Sequence, residues 1–340
     1  MKKLCVFFIA IAMVAAFTVP AMAADWSFYG SSRMATFWDT YDEDAGDDSG
    51  LTWALQGNSR IGANVKAGDI SGQFEYGSGP NLRLLYGKWN FGAGTLILGQ
   101  EYTPVNTFIS NQVQGGDNDM LPWGGIYGGR NPAIELSIAS FRVALLQPKG
   151  AALTAKGDVD ITIPKIEAAY KFKTDKFWVE AVGGYNTFSV EKADVPDYDV
   201  TSYIVGVGGS VNLGPAYINA NVFTGQNIGP YGMYTTGAAA PTIVGGSLKD
   251  VTSLGFLGVV GFKVSDMLTF EGGYGQVTHD SDATALQDDE TAAMYVQAVI
   301  SPAKGFIIVP EIGQIDYKDS TAGKPQGKQT YFGAKWQINF

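Results

Sequence analysis

The sequence predicts an all-β protein, a transmembrane antiparallel β-barrel of about 16 strands with short periplasmic turns and long extracellular loops. Three observations predict it. Apolar and polar residues alternate with a period of two along segment after segment, as they do on the two faces of a strand. Tight turns alternate with long polar connections. The composition is mixed: 44 of 340 residues are Gly, 17 Tyr and 19 Phe, charged residues are only 16%, and mean hydropathy is +0.02.

These numbers also exclude. Disorder needs low hydrophobicity and high charge. Collagen needs glycine at every third position. A net charge of −10 argues against a nucleic-acid binder, which presents a basic face.

The first element is an export leader over 1–23. Lys2 and Lys3 precede the apolar run Leu4–Val19, and Ala21-Met22-Ala23 supplies small-x-small cleavage chemistry. Cleavage removes Cys5, the single cysteine, and two lysines, so the formal charge becomes −12. The longest later apolar run, Leu254–Phe262, is too short for a membrane helix and carries glycines. Residues 24–340 then read as one barrel domain in the bacterial outer membrane, in contact with its lipid and lipopolysaccharide.

The last strand shows the pattern most cleanly. Phe332, Ala334, Trp336, Ile338 and Phe340 share one parity, and Tyr331, Gly333, Lys335, Gln337 and Asn339 share the other. Ile166, Ala168, Tyr170 and Phe172 stand likewise against Lys165, Glu167, Ala169 and Lys171. The sixteen predicted strands are 26–38, 52–66, 69–77, 81–90, 94–103, 131–138, 141–147, 162–173, 176–191, 199–212, 215–225, 250–264, 267–278, 291–301, 305–317 and 328–340. Turns such as Ala67-Gly68-Asp69, Thr174-Asp175, Leu213-Gly214-Pro215 and Ser265-Asp266 close the short ends. The opposite ends carry 39–51, 104–130, 149–161, 192–198, 225–249, 279–290 and 318–328, with Ser78-Gly79-Pro80 as the short exception. A soluble sandwich would have loops of similar length at both ends. A soluble barrel of this strand number would enclose more space than side chains fill. Aromatics near the short turns, among them Trp89, Phe91, Phe172, Phe177 and Trp178, fit a periplasmic girdle.

Several stretches resemble the Gram-negative general porins. Asn58–Lys66, the Gly-Asp turn and Gly72-Gln73-Phe74-Glu75-Tyr76 resemble that family's second and third strands. Tyr29-Gly30 with Arg33 resembles its first. Phe91–Gln100 followed by Tyr102-Thr103-Pro104 resembles its fifth strand and the approach to its third loop. The terminal Phe340 resembles its assembly signal. The resemblance implies a water-filled pore, a homotrimer, and a third loop, here 104–130, folded inward as a constriction. The short 78–80 connection departs from members whose second loop latches a neighbour.

The resemblance also implies a charge arrangement at the constriction, with early-strand arginines facing acids on the third loop. Arg33, Arg60 and Arg83 fall on the early strands; Glu101 stands before the loop, and Asp117 and Asp119 lie in it. Arg130 and Arg142 are the other arginines after the leader. Opposed charges set a transverse field that favours polar solutes. Passive diffusion of ions and small hydrophilic solutes is the function expected. A substrate-specific channel is one alternative, and an adhesin or receptor barrel with a closed lumen is another. The acidic runs at 42–48 and 288–290 lack the ligand register of a calcium loop. No cofactor motif is present, and the single histidine, His279, falls at the start of a predicted external loop near Ser281, a setting too flexible for catalysis. No enzyme activity is expected.

Overall fold

The computed structural model describes residues 24–46, 48–79, 81–150, 158–191, 197–283 and 285–340. The predicted leader over 1–23 lies outside the described residues, as do Asp47, Pro80, Thr284 and parts of the predicted 149–161 and 192–198 loops.

The chain forms a closed antiparallel barrel of 16 strands. In chain order they are β1 (Asp25–Tyr41), β2 (Ser49–Leu55 and Arg60–Ala67), β3 (Ile70–Gly77), β4 (Leu82–Asn90), β5 (Thr95–Tyr102) and β6 (Arg130–Ile138). Next come β7 (Phe141–Leu146), β8 (Asp158–Asp160 and Lys165–Lys173), β9 (Phe177–Glu191), β10 (Tyr198–Leu213) and β11 (Ala216–Gln226). The last five are β12 (Val251–Ser265), β13 (Leu268–Ser281), β14 (Asp289–Ala303), β15 (Phe306–Asp316) and β16 (Lys328–Asn339). Each strand pairs with the next, and β16 returns to β1 in register from Ser31↔Asn339 to Tyr41↔Gln329. Closure leaves no free edge, which a lipid environment requires. Phe340 completes the seam: its backbone exchanges hydrogen bonds with Gly30 at 2.7 and 3.0 Å. A Cβ at Gly30 would overlap the Phe340 ring, so glycine there makes room for the terminal aromatic.

The two parities separate as the alternation predicts. Phe332, Trp336 and Ile338 are exposed on the outer wall, whereas Tyr331 and Gln337 are buried inside. Ile166, Tyr170 and Phe172 face out; Lys165 and Glu167 are wholly buried. Trp26, Phe28, Trp38 and Trp53 add to the outer apolar surface.

Two differences from the expected pattern bear on function. Strand two is interrupted at 56–59, where Gln56 N–H donates to Arg33 O at 2.8 Å and Ser59 Oγ accepts Arg33 N–H at 2.9 Å. Strand eight is likewise broken between Asp160 and Lys165. The inward face is also not uniformly polar. Leu257, Val259 and Val277 are buried on it, with Phe37 and Tyr331. They stay dry because residues of 103–129, including Ile109, Met120, Trp123 and Ile126, cover them. Burying these apolar surfaces together removes both from water.

Candidate functional site

Residues 103–129 connect β5 to β6, and their backbone bonds to inward side chains around much of the wall. Val105 N–H donates to Glu167 on β8 at 3.0 Å. Asn111 N–H donates to Glu271 on β13 at 3.0 Å. Val113 and Gln114 N–H donate to Glu311 on β15 at 2.8 and 3.0 Å. Asn221 on β11 and Gln56 in the β2 break donate to Gly124 O and Val113 O at 2.6 and 2.9 Å. Carboxylates that accept several N–H donors satisfy an irregular segment that could not otherwise be buried. Gly124 and Gly275 mark the closest approach: a Cβ on Gly124 would overlap Phe256 O, and one on Gly275 would overlap Trp123 O.

This placement brings Asp117 to the early-strand arginines. Arg33 Nη1 on β1 pairs with Asp117 Oδ2. Lys335 Nζ on β16 reaches Asp117 Oδ1 at 3.0 Å, and Asn58 donates to the same carboxylate at 3.4 Å. Arg60 and Arg83 instead share Glu75 on β3, at 3.6 and 2.6 Å. Arg83 owes its direction to a β-bulge. Glu75 pairs with Leu84 and Tyr76 with Leu82, so Arg83 is the extra residue and swings onto Glu75. Asp119 lines the same recess but makes no ion pair among the described residues. Partial burial pushes its carboxyl well above the usual aspartate range, and Asp117 pushes the same way.

Glu101 stands apart from Arg33, Arg60 and Arg83. Its partner is Lys88 on β4 at 3.2 Å, with Arg142 at 4.0 Å. Arg142 is committed mainly to Glu135 at 2.7 Å.

Several members of the site were not singled out from sequence. Glu75 reads as one polar position in an alternating strand, and Lys335 lies far along the chain from its partner Asp117. Arg130 lies over the Tyr102 ring, 5.4 Å from its centroid, a cation–π arrangement. A row of rings, Tyr102, Phe108, Tyr127 and Tyr234, continues from it with successive centroids 5.3, 5.7 and 6.2 Å apart. Guanidinium groups, carboxylates and this aromatic row therefore border one continuous recess.

His279 corrects an expectation. It lies within β13, not in an external loop, and is buried. Its Nε2 is 2.7 Å from Thr236 O, which can only accept, so Nε2 carries the proton. Nδ1 then accepts from Ser253 Oγ at 2.8 Å. Both nitrogens are occupied, and neither by Ser281.

No family model matches the chain, and no curated protein matches it in sequence. Solved structures do. The outer membrane channel DcaP of Acinetobacter baumannii is similar over 93% of this chain and 97% of its own, with a TM-score of 0.74 and 16% identity. The anion-selective porin from Comamonas acidovorans matches over 93% of this chain and 100% of its own, at 0.62 and 14%. Salmonella typhi OmpF, in complex with daunomycin, matches over 92% and 97%, at 0.62 and 13%. Identities this low show the fold alone. That fold is the sixteen-stranded barrel of Gram-negative outer-membrane porins.

Proposed function

We propose that this protein is an outer-membrane pore through which ions and small hydrophilic solutes diffuse passively, with 103–129 as its constriction. The observation that carries the reading is the recess itself. Charged side chains from six strands converge there on a segment tied inside a barrel whose outer face is apolar. Side chains fill the bore of an eight-stranded barrel, whereas a sixteen-stranded one leaves room for water. That favours a channel over a receptor with a closed lumen. The leader, the outer-membrane address and a homotrimer belong to the same reading. Passive diffusion needs no catalytic group, and His279 is already committed to structural hydrogen bonds.

The recess also points to a preference. Arg33, Arg60, Arg83, Arg130 and Lys335 outnumber Glu75, Asp117 and Asp119 there. A local excess of fixed cations favours anions at the narrowest point. The formal charge of the whole chain is negative, but the few charges beside the path dominate over those a Debye length away. The similar fold of the anion-selective porin is compatible with this sign.

Purified protein in a planar bilayer under a KCl gradient tests both parts. Stable conductance steps with a reversal potential on the chloride side are expected. No steps would remove the pore reading, and a potassium-side potential would remove the preference. Neutralising Arg33, Arg60 and Arg83 together should move the potential towards potassium.

A further inference from the structure

The connection between β11 and β12 also folds onto the constriction. Residues 227–250 begin with a single helical turn, Ile228–Tyr231, and include a small exposed hairpin, Thr242–Val244 with Ser247–Lys249. The sequence around it, rich in Gly, Ala, Thr and Pro, reads as a solvated external loop. The structure instead buries Ile228, Tyr231, Met233 and Ala239 in one cluster with Val105 and Ile126 of the 103–129 segment and with inward wall residues.

The two loops are also hydrogen-bonded to each other. Tyr234 N–H donates to Tyr127 O at 2.9 Å, and Thr236 N–H donates to Pro122 O at 3.3 Å. Tyr234 Oη donates to Asn118 Oδ1 at 3.2 Å. The wall holds both from below: Glu167 accepts from Val105 N–H and from Tyr231 Oη at 3.0 and 2.8 Å. Lys165 donates to Tyr231 O at 3.0 Å. His279 holds Thr236 O from the side. The apolar contact between the two loops packs on wall residues of β8 to β11 and β13. The charged recess remains on the β1–β6 side, and Tyr234 borders it while 44% exposed.

We propose that 227–250 is a second, fixed constriction element and that Tyr234 is a specificity-determining residue, bordering the recess that Arg83 also lines and setting the size of solute admitted. This rests on the pore reading above. The 103–129 segment itself lies against β11 and β12, through Asn219, Asn221 and the Gly124 approach to Phe256 O; the second loop is clamped onto it and leaves one aromatic edge, Tyr234, towards the charges.

Single-channel conductance and liposome swelling with neutral sugars of increasing mass test it, in barrels verified as folded by heat-modifiable mobility. Tyr234→Ala should raise conductance and admit larger sugars; Tyr234→Trp should lower both. Replacing 233–246 with a short Gly-Ser linker should raise conductance by at least about twofold, because flow through a pore follows its narrowest section. Parental values in both side-chain variants and in the linker variant would overturn the proposal. Amide exchange of the intact protein separates this from the pore reading. A parent that never conducts overturns that reading. Protection of the Tyr234 and Thr236 amides would still support the clamp, and fast exchange there would overturn it.

Discussion

Arg83 donates from Nε to Glu75 Oε1 at 2.6 Å, and Arg60 Nη1 stands 3.6 Å from the same oxygen. Two guanidinium groups thus share one carboxylate, which also accepts from Tyr29 Oη at 2.9 Å. Glu75 is what allows two arginines to stand side by side at the recess.

Glu75→Gln should therefore change the pore more than the fold. The amide keeps one acceptor oxygen but removes the negative charge between Arg60 and Arg83. The reversal potential should move further towards chloride. Stability, measured by urea unfolding in lipid vesicles, should fall by no more than about 1–3 kcal/mol, the cost of a poorly satisfied buried group. An unchanged potential would place these arginines away from the ion path.

The outer wall makes a different prediction. Val296 lies mid-strand in β14 and is 60% exposed, while its neighbours Tyr295 and Gln297 are buried inside. If that exposed face meets lipid, Val296→Arg should destabilise by about 2–4 kcal/mol, the range for arginine near a bilayer midplane. Val296→Leu should stay within about 0.5 kcal/mol, as for ordinary surface changes. Equal stability of the two variants would mean that this face meets water.

A third prediction concerns the buried pair beneath both loops. Lys165 Nζ and Glu167 Oε1 are 2.9 Å apart, both side chains are 0% exposed, and Lys165 also sits 3.6 Å from the Tyr231 ring centroid. Removing one partner leaves a buried charge. Glu167→Gln should cost about 3–5 kcal/mol, whereas Lys165→Met with Glu167→Leu should recover much of it, since buried ion pairs gain little over apolar replacements. The double variant still loses the Glu167 acceptor of Val105 N–H. Its conductance should therefore be noisier even where stability returns.

Period-two alternation made the strand count, both faces and the loop asymmetry legible, because a strand writes its environment into every second residue. The outward parity of Phe340 was legible for the same reason, whereas the early arginines were singled out by the family resemblance. What stayed hidden depends on contacts across the barrel. The bulge that aims Arg83 at Glu75 appears only when β3 and β4 are in register. The Lys335–Asp117 contact joins the last strand to the third loop. The second inward loop has no charge or period of its own, and its Ile228, Tyr231 and Met233 acquire meaning only against Val105 and Ile126. His279 was misplaced because β13 runs farther than its alternation, up to Ser281.

The last prediction follows from Asp119. Partial burial and the neighbouring Asp117 raise its pKa well above the ordinary aspartate range. Asp119 therefore takes up its proton at a higher pH than a solvated aspartate. Above that raised value it contributes one negative charge to a recess dominated by arginine; as pH falls through it, the charge is lost and the positive excess grows. The reversal potential should thus shift towards chloride on acidification, with its inflection above the usual aspartate pKa of about 3.9. Asp119→Asn should hold the acid-side value at neutral pH and lose that inflection. The Arg33–Asp117 pair remains in that variant, so the barrel and its conductance should persist. A variant that keeps the parental pH profile would assign the titration to another carboxylate.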